Sequence, residues 1–344
     1  MDFLGLEKKG FFAHKLNREL SDDELTNELD RNVKASDSPR DNLNIIKVND
    51  SYLEIIDKWY VFKGLVTFAG CCFSIYLILM LSVLTYGTVK NNDPSAIWFL
   101  IFAVVIHLPI FYITIRLLSL ELFQKTHYPI RFDYNKRKIF SLLPKGGYVE
   151  TSWDDAFIFI KRARHPFSIH PSASYHYEIC VHVLSSDRKL VKQTFSLGSF
   201  SEAKNDAINF WEFVRLYMED SSSHNMLSRN VRHYLPIDTK AEEFRLSVVL
   251  TMAPISSYPL LQLITSPISC LFVLGRRLSI ITSTVPKWPK DSLDNRVAKL
   301  SIRQNENTSL NFIDSTWPLI CFIFGAVITT SLIIWGGLNV YYIL

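Results

Sequence analysis

Two long apolar runs stand close together in the first third of the chain. Residues 64–89 and 96–115 carry no formal charge and are separated only by the polar turn 90–95. An α-helix rises about 1.5 Å per residue, so each run is long enough to cross about 30 Å of hydrocarbon. Neither run alternates with the period of two that a membrane barrel strand needs. The pattern predicts a transmembrane hairpin within residues 59–123.

Two further apolar runs lie in the second half of the chain. The run 315–344 has no charge and has aromatic residues near both ends, which predicts a C-terminal span within residues 312–344. The run 246–275 is interrupted by three prolines. A single crossing there would place the basic residues that follow it outside, against the positive-inside rule. The sequence therefore predicts a re-entrant or interfacial segment within a linker that covers residues 221–311.

The lysines and arginines indicate the orientation of the hairpin. Lys47, Lys58 and Lys63 precede it, six basic residues follow it between residues 116 and 138, and the turn contains only Lys90. The positive-inside rule places the N-terminus and the segment after the hairpin in the cytoplasm. With three spans, the C-terminus of this integral inner (plasma) membrane protein is then expected outside.

The N-terminal residues 1–58 contain many charges of both signs and only scattered apolar positions. This composition predicts a cytosolic polar tail that is largely disordered, and it does not resemble a signal peptide. Ser21 followed by Glu24 resembles a capping box, which predicts a short helix over residues 21–31.

Residues 124–220 have the pattern of a soluble domain. Short stretches of alternating apolar and polar residues, separated by turn residues, predict about six antiparallel strands. An amphipathic helix from about residue 201 follows them. The fold class expected is therefore a membrane protein with α-helical spans and an inserted cytosolic α+β domain. By analogy, the order of elements resembles a PH-like barrel closed by its C-terminal helix.

Charge, cysteine usage and sequence motifs limit the classes of function that fit this chain. A formal net charge of +4 does not imply nucleic-acid binding, and the five cysteines form no CxxC pair. Histidines 165, 170, 176 and 182 have spacings that fit no zinc motif, so we interpret them as surface or packing residues without a metal. His107, within the second apolar run, is expected to be neutral and hydrogen-bonded to a neighbouring helix.

Because GxSxG, Walker A and GxGxxG motifs are missing, the sequence favours a protein that is not an enzyme and has no cofactor.

A set of basic residues follows the hairpin, mainly at predicted strand ends and in loops. Each residue near an anionic leaflet would contribute about 1 kcal/mol of attraction, so the sequence suggests a basic patch that lies against the lipid bilayer. The residues are Arg131, Lys136, Arg137, Lys138, Lys161, Arg162 and Arg164.

Several short segments resemble a bacterial family of membrane proteins of unknown function whose genes accompany type VI secretion toxins. The likeness covers roughly residues 55–300, and its longer matching segments are HYPIRFDYNKRKIF (127–140), VETSWD (149–154) and FWEFVRLYME (210–219). Shorter matching pieces are HVL (182–184), TFSLG (194–198) and the Trp-Pro pair 288–289. Trp153, Asp154 and Trp211 are its motif residues, and we expect them to be structural.

This resemblance implies an immunity or accessory protein that binds a cognate secreted toxin or a secretion-system component rather than catalysing a reaction. A membrane-anchored adaptor or sensor, whose PH-like domain binds lipid or protein, is the first alternative. A small transporter or channel subunit is the second. The sequence leaves the oligomeric state open.

Overall fold

The computed structural model describes residues 15–91, 95–143, 147–164, 175–235, 237, 242–255, 258–289 and 312–343. In chain order the strands are β1 (Ile45–Val48), β2 (Tyr52–Ile55), β3 (Ile130–Asp133), β4 (Lys138–Leu142), β5 (Tyr148–Ser152), β6 (Phe157–Arg164), β7 (Tyr175–Leu184) and β8 (Val191–Ser201). The helices are α1 (Asp22–Thr26), α2 (Leu65–Asn91), α3 (Ser95–Glu121), α4 (Lys204–Glu219), α5 (His224–Asn230), α6 (Phe244–Met252), α7 (Pro259–Thr282) and α8 (Phe312–Ile343).

The chain divides into two compact units, and each is interrupted in sequence by the other. Unit 1 contains Met1–Val61, His127–Lys240 and Val285–Leu310. Unit 2 contains Phe62–Thr126, Ala241–Thr284 and Asn311–Leu344. All described strands belong to unit 1, and the long apolar helices belong to unit 2.

Unit 1 contains two antiparallel sheets and helix α4. One sheet has five strands in the order β1-β2-β3-β4-β5, and the other has three strands in the order β6-β7-β8. The apolar face of α4 lies in the shared core, where Phe210, Trp211 and Phe213 are buried against residues of both sheets. The antiparallel strands and the closing helix agree with the α+β prediction, while the PH-like likeness stays a prediction.

Strands β1 and β2 differ from the expectation of a disordered tail. β2 pairs with β3 in the register Tyr52 opposite Asp133, although the whole hairpin of α2 and α3 lies between them in sequence. Leu53 and Ile55 are fully buried in the core. Each of the two strands has only four residues, so their local pattern is too short to stand out, and the pairing partner is far away in sequence.

Residues 17–32, which we call the strap, lie on the three-stranded sheet. The predicted capping box is present, because Ser21 accepts from the Glu24 amide and Glu24 accepts from the Ser21 amide. The helix that follows is shorter than expected, since α1 ends at Thr26. The strap is therefore ordered on the sheet, in contrast to the prediction from composition.

Four of the described helices, which lie almost entirely in unit 2, are long and apolar enough to cross a membrane. They are Tyr60–Lys90, Ile97–Glu121, Pro259–Thr282 and Asp314–Asn339. Three of them correspond to the predicted spans, and the fourth, α7, covers most of the run 246–275 that was expected to be re-entrant or interfacial. The hydrogen bond from Tyr76 Oη to His107 Nε2 (3.1 Å) joins α2 to α3, which confirms the expected histidine contact.

The prolines of α7 explain why the sequence pattern was ambiguous there. Pro259 occupies the first turn of the helix, where no N–H is needed. Pro267 lies inside the helix and cannot donate to the carbonyl of Leu263. The Ser266 hydroxyl donates to that carbonyl instead, at 2.7 Å. A side chain thus replaces the lost backbone bond, and the helix continues beyond the proline.

Candidate functional site

A polar cleft of about 480 Å³ opens in unit 1. Three segments that are far apart in sequence form it: the strap, the turns that flank β4 and β5, and the end of α4. The lining residues are Glu28, Leu29, Asp30, Arg31, Asn32, Arg137, Asp154 and Glu219.

Arg137 joins two walls of the cleft. It lies in the β3–β4 turn with a φ of +49°, and its Nε donates to Asp154 Oδ2 at 2.9 Å. Its Nη2 donates to Glu219 Oε1 at 3.0 Å. The hydrogen bond from Arg137 lowers the pKa of Asp154, and the same bond raises the pKa of Arg137. Asp154 is therefore ionised at neutral pH.

Trp153 supports the cleft from below. It is fully buried and stacks on Trp211 with ring centroids 5.6 Å apart, while its indole N–H donates to Glu219 Oε1 at 2.5 Å. The Arg31 guanidinium donates to the carbonyls of Trp153 (2.5 Å) and Ala156 (2.7 Å). Trp153, Asp154 and Trp211 thus come together: Asp154 lines the cleft, and Trp153 connects the buried Trp211 with the cleft residue Glu219.

The lining carries more negative than positive charge. Glu28, Asp30, Asp154 and Glu219 provide carboxylates, whereas only Arg31 and Arg137 provide guanidinium groups. Glu28 and Asp30 are exposed. An exposed excess of carboxylates favours cations, so the cleft suits a Lys or Arg side chain from another molecule.

Three residues of the suggested basic patch form ion pairs with carboxylates of unit 1. Arg131 is buried between the rings of Tyr52 (4.2 Å) and Trp288 (4.7 Å). Its guanidinium also donates to Glu54 at 3.3 Å. Arg137 is held in the cleft, and Lys138 forms an ion pair with Glu150.

The remaining basic residues lie on two separate parts of the sheets. Lys136 is exposed in the β3–β4 turn, whereas Lys161, Arg162 and Arg164 belong to β6 of the other sheet. The Arg162 guanidinium lies 3.8 Å from the ring centroid of Tyr175. Among the described side chains of this set, three are paired with carboxylates and the others lie on different sheets, so these side chains do not form one uncompensated patch.

Two of the four histidines lie on one face of β7, and residues 165 and 170 lie outside the described residues. His176 donates to Glu178 Oε1 at 2.9 Å, and Lys58 Nζ lies 3.2 Å from Glu178 Oε2. Burial alone would raise the pKa of Glu178, but His176 and Lys58 hold this pKa well below its ordinary value. Burial raises the pKa of Cys180 to about 12, so its thiol stays protonated at neutral pH.

The titratable groups on β7 have hydrogen-bond partners: His176 bonds to Glu178, and His182 bonds to Glu24 and Thr194. Within the part of the chain that the structure describes, no group of three or more His, Cys, Asp and Glu side chains is arranged to hold a metal ion. The face of β7 is accordingly a buried hydrogen-bonded network, in line with the interpretation of His176 and His182 as packing residues.

Of the eight residues that line the cleft, only Arg137 and Asp154 were candidate site residues in the sequence. Arg31, Glu28 and Asp30 lie in the segment that we expected to be a polar tail, and Glu219 is the last residue of α4. The capping box at Ser21 and Glu24 was the one local sign that this segment is ordered. Nothing in the local pattern links residues 28–32 to residue 219.

Comparison with known proteins places the chain in a family. The model of a family of unknown function (DUF6708) matches residues 107–299, which is more than half of the chain. Comparison with curated proteins and with solved structures gives no match. The chain therefore belongs to the DUF6708 family of unknown function.

Proposed function

We propose that this protein is an integral membrane protein whose unit 1 binds a partner that carries exposed Lys or Arg side chains. The observation that supports this most is the cleft, which the exposed carboxylates of the strap share with the carboxylates of Asp154 and Glu219. The long helices of unit 2 then serve as the membrane anchor.

Exposed apolar side chains support the membrane part of the proposal. Trp98 in α3 is 74% exposed, Ile78 in α2 is 63% exposed and Trp335 in α8 is 68% exposed. Large exposed apolar surfaces on helices of this length suit contact with lipid. Residues His107 and Tyr76 satisfy each other's polar atoms within the apolar hairpin, as a hydrocarbon environment requires.

A buried ion pair supports an even number of crossings for the segment that contains α6 and α7. Arg276 donates to both carboxylate oxygens of Glu242 at 2.6 Å, and both side chains are almost fully buried. Because their side chains are in contact, Glu242 before α6 and Arg276 near the end of α7 lie at the same depth relative to the membrane. Because the nine residues of α6 extend only about 14 Å, the segment dips into the membrane and returns to its starting side.

This geometry, together with the positive-inside rule, gives the proposed topology. α2 and α3 cross in opposite directions, the α6–α7 segment returns to the cytoplasmic side, and α8 crosses once. The residues of unit 1 are then cytoplasmic and Leu344 is outside. The re-entrant interpretation of the sequence fits this arrangement.

The likeness to toxin-associated membrane proteins favours a secreted toxin, or a component of its secretion system, as the partner. Binding through a charged cleft is a suitable way for an immunity protein to act, because recognition alone neutralises its target. An adaptor that binds lipid through basic residues is less well supported, since Arg131, Arg137 and Lys138 already have carboxylate partners.

Reversing the two exposed cleft carboxylates is expected to weaken cation binding. The variant Glu28→Lys with Asp30→Lys should bind a fluorescent oligolysine peptide at least about ten-fold more weakly than the natural protein, because two attractive charges become repulsive. The measurement is fluorescence anisotropy with the full chain in lipid nanodiscs. In cells that carry a neighbouring toxin gene but lack this gene, the same variant should fail to restore growth in contact with siblings.

The control reverses two exposed carboxylates outside the cleft and the strap, Asp37→Lys with Asp50→Lys. It should behave like the natural protein in both assays. Equal loss in the two variants, or equal binding of oligolysine and oligoglutamate, would rule out the cleft as a cation site. Binding to anionic vesicles that is unchanged in both variants, with no peptide binding, would support the lipid adaptor instead. Normal growth of the deletion strain would exclude the toxin as partner.

A further inference from the structure

The strap occupies both edges of the three-stranded sheet. At the β8 edge, the amide of Asn17 donates to the Val191 carbonyl and the amide of Val191 donates to the Arg18 carbonyl, both at 2.8 Å. At the β6 edge, the amide of Leu29 donates to the Ile158 carbonyl (2.8 Å). The amide of Ile160 donates to the Asn27 carbonyl at 3.0 Å. The strap therefore crosses the sheet from one edge strand to the other.

Between these edges, Glu24 attaches the strap to the central strand. Its Oε1 accepts from His182 Nε2 at 3.0 Å, and His182 Nδ1 lies 2.7 Å from the Thr194 hydroxyl. Arg18 donates to both oxygens of the same carboxylate, at 2.5 and 2.7 Å. Glu24 and His182 are both buried. We call Glu24, His182 and Arg18 the latch.

The strap covers a small apolar surface beside the latch. Leu20 packs on a cluster formed by Phe157, Phe159 and Cys180. Cys180 is fully buried in the closed arrangement. Removal of the strap would expose this thiol, so Cys180 serves as a natural reporter of opening.

The same segment builds much of the cleft. Five of its eight lining residues, from Glu28 to Asn32, belong to the strap. We propose that the strap is a releasable element held by the Glu24–His182 latch, and that its acid-induced release takes the cleft apart. This inference concerns regulation of the cleft and therefore rests on the proposed binding function.

Charges around His182 set the direction of the pH effect. The imidazole faces Glu24 and Arg18 of the strap and is near Lys161 of β6, while Cys180 and Glu178 share its strand. Burial lowers the pKa of His182 below its ordinary 6.5, and Arg18 and Lys161 act in the same direction against the opposing effect of Glu24. Burial alone would raise the pKa of Glu24, but hydrogen bonds from Arg18, Ser21 and His182 lower it.

These shifts make acid favour the open strap. The released histidine, with its higher pKa, takes up a proton more readily than the latched one, so the closed form is fully favoured above pH 6.5 and loses stability as the pH falls below it. Glu24 adds to this loss only below its ordinary pKa of 4.5. Between pH 7.5 and 5.5, His182 is therefore the group that matters in the latch.

Hydrogen exchange of the full chain in nanodiscs tests the proposal. After correction for intrinsic rates, amides of the strap should exchange faster at pH 5.5 than at pH 7.5, by up to about ten-fold. Amides of α4 in the core should not show this difference. His182→Gln should remove the pH effect, and Glu24→Gln should expose the strap at both pH values. Asp22→Asn, an exposed carboxylate of α1, should match the natural protein.

Thiol labelling of Cys180 gives a second measure of strap opening that does not depend on any variant. The reagent must react both in acid and at neutral pH, and mass spectrometry measures the labelled fraction of Cys180 at each pH. Equal strap protection at both pH values, or a pH effect that persists in His182→Gln, would overturn the inference. If the strap opens in acid but the variant Glu28→Lys with Asp30→Lys binds the peptide like the natural protein, the proposed function is refuted. If that variant loses peptide binding but the strap does not open in acid, only the latch is refuted.

Discussion

Replacing Glu242 with glutamine is expected to destabilise unit 2 by about 3 to 5 kcal/mol, because the change leaves a buried guanidinium without its counter-charge. Arg276 is fully buried, and its Nε and Nη2 both donate to the Glu242 carboxylate. The arginine has little room to turn toward water. A Cβ built on Gly64 would lie only 2.2 Å from the Arg276 Cα, which shows how closely α7 approaches the start of α2.

The neighbouring Glu243 provides a matched control. It precedes α6 in the chain and is exposed, so Glu243→Gln should change the free energy of unfolding by less than about 0.5 kcal/mol. Chemical unfolding of the full chain in detergent micelles measures both variants. The double change Glu242→Gln with Arg276→Met should recover much of the loss, since no unpaired charge remains buried. Equal stability of the two single variants would show that the ion pair does not hold the segment together.

Trp153→Ala is expected to destabilise unit 1 by about 3 to 5 kcal/mol, because it opens a large cavity in the core. Trp153 stacks on Trp211, meets Phe132 edge-on at 6.0 Å and donates its indole N–H to Glu219. Loss of that bond also frees a cleft carboxylate. Far-ultraviolet circular dichroism during chemical unfolding measures the effect.

Two comparison variants separate packing from hydrogen bonding at this position. Trp153→Phe keeps an aromatic ring but removes the N–H, so it should cost clearly less than the alanine variant. Leu25→Ala, at a half-exposed position of the strap, should cost little. An alanine variant at Trp153 as stable as Leu25→Ala would contradict the packing of Trp153 in the core of unit 1.

The sequence predicts the apolar helices well because each is a local pattern. The runs 64–89 and 96–115 correspond to α2 and α3, and 315–344 corresponds to α8. The run 246–275 was harder, since prolines normally end helices. Its continuity depends on the Ser266 hydroxyl and on the partner of Arg276, which lies 34 residues earlier in the chain. No local pattern reports such contacts.

The difference between local patterns and distant contacts also explains which residues of the cleft could be predicted from the sequence. The Trp-Asp turn at residues 153–154 and the Trp211 helix were visible as motifs, and the structure brings them together. Arg31 was not visible, because a charged residue in a polar segment looks like any solvated residue until the carbonyls of Trp153 and Ala156 are placed beside it. β1 and β2 were missed similarly, since their partner strand follows the whole hairpin.

A reporter fused after Leu344 tests most directly whether the helices of unit 2 hold unit 1 on the cytoplasmic side of a membrane. Reporters that fold only inside or only outside the cell would be compared at this position, in the turn 90–95 and after Thr284. The account predicts an external signal at Leu344 and in the turn, and a cytoplasmic signal after Thr284. A cytoplasmic signal at Leu344, or recovery of the whole chain in the soluble fraction without detergent, would contradict it.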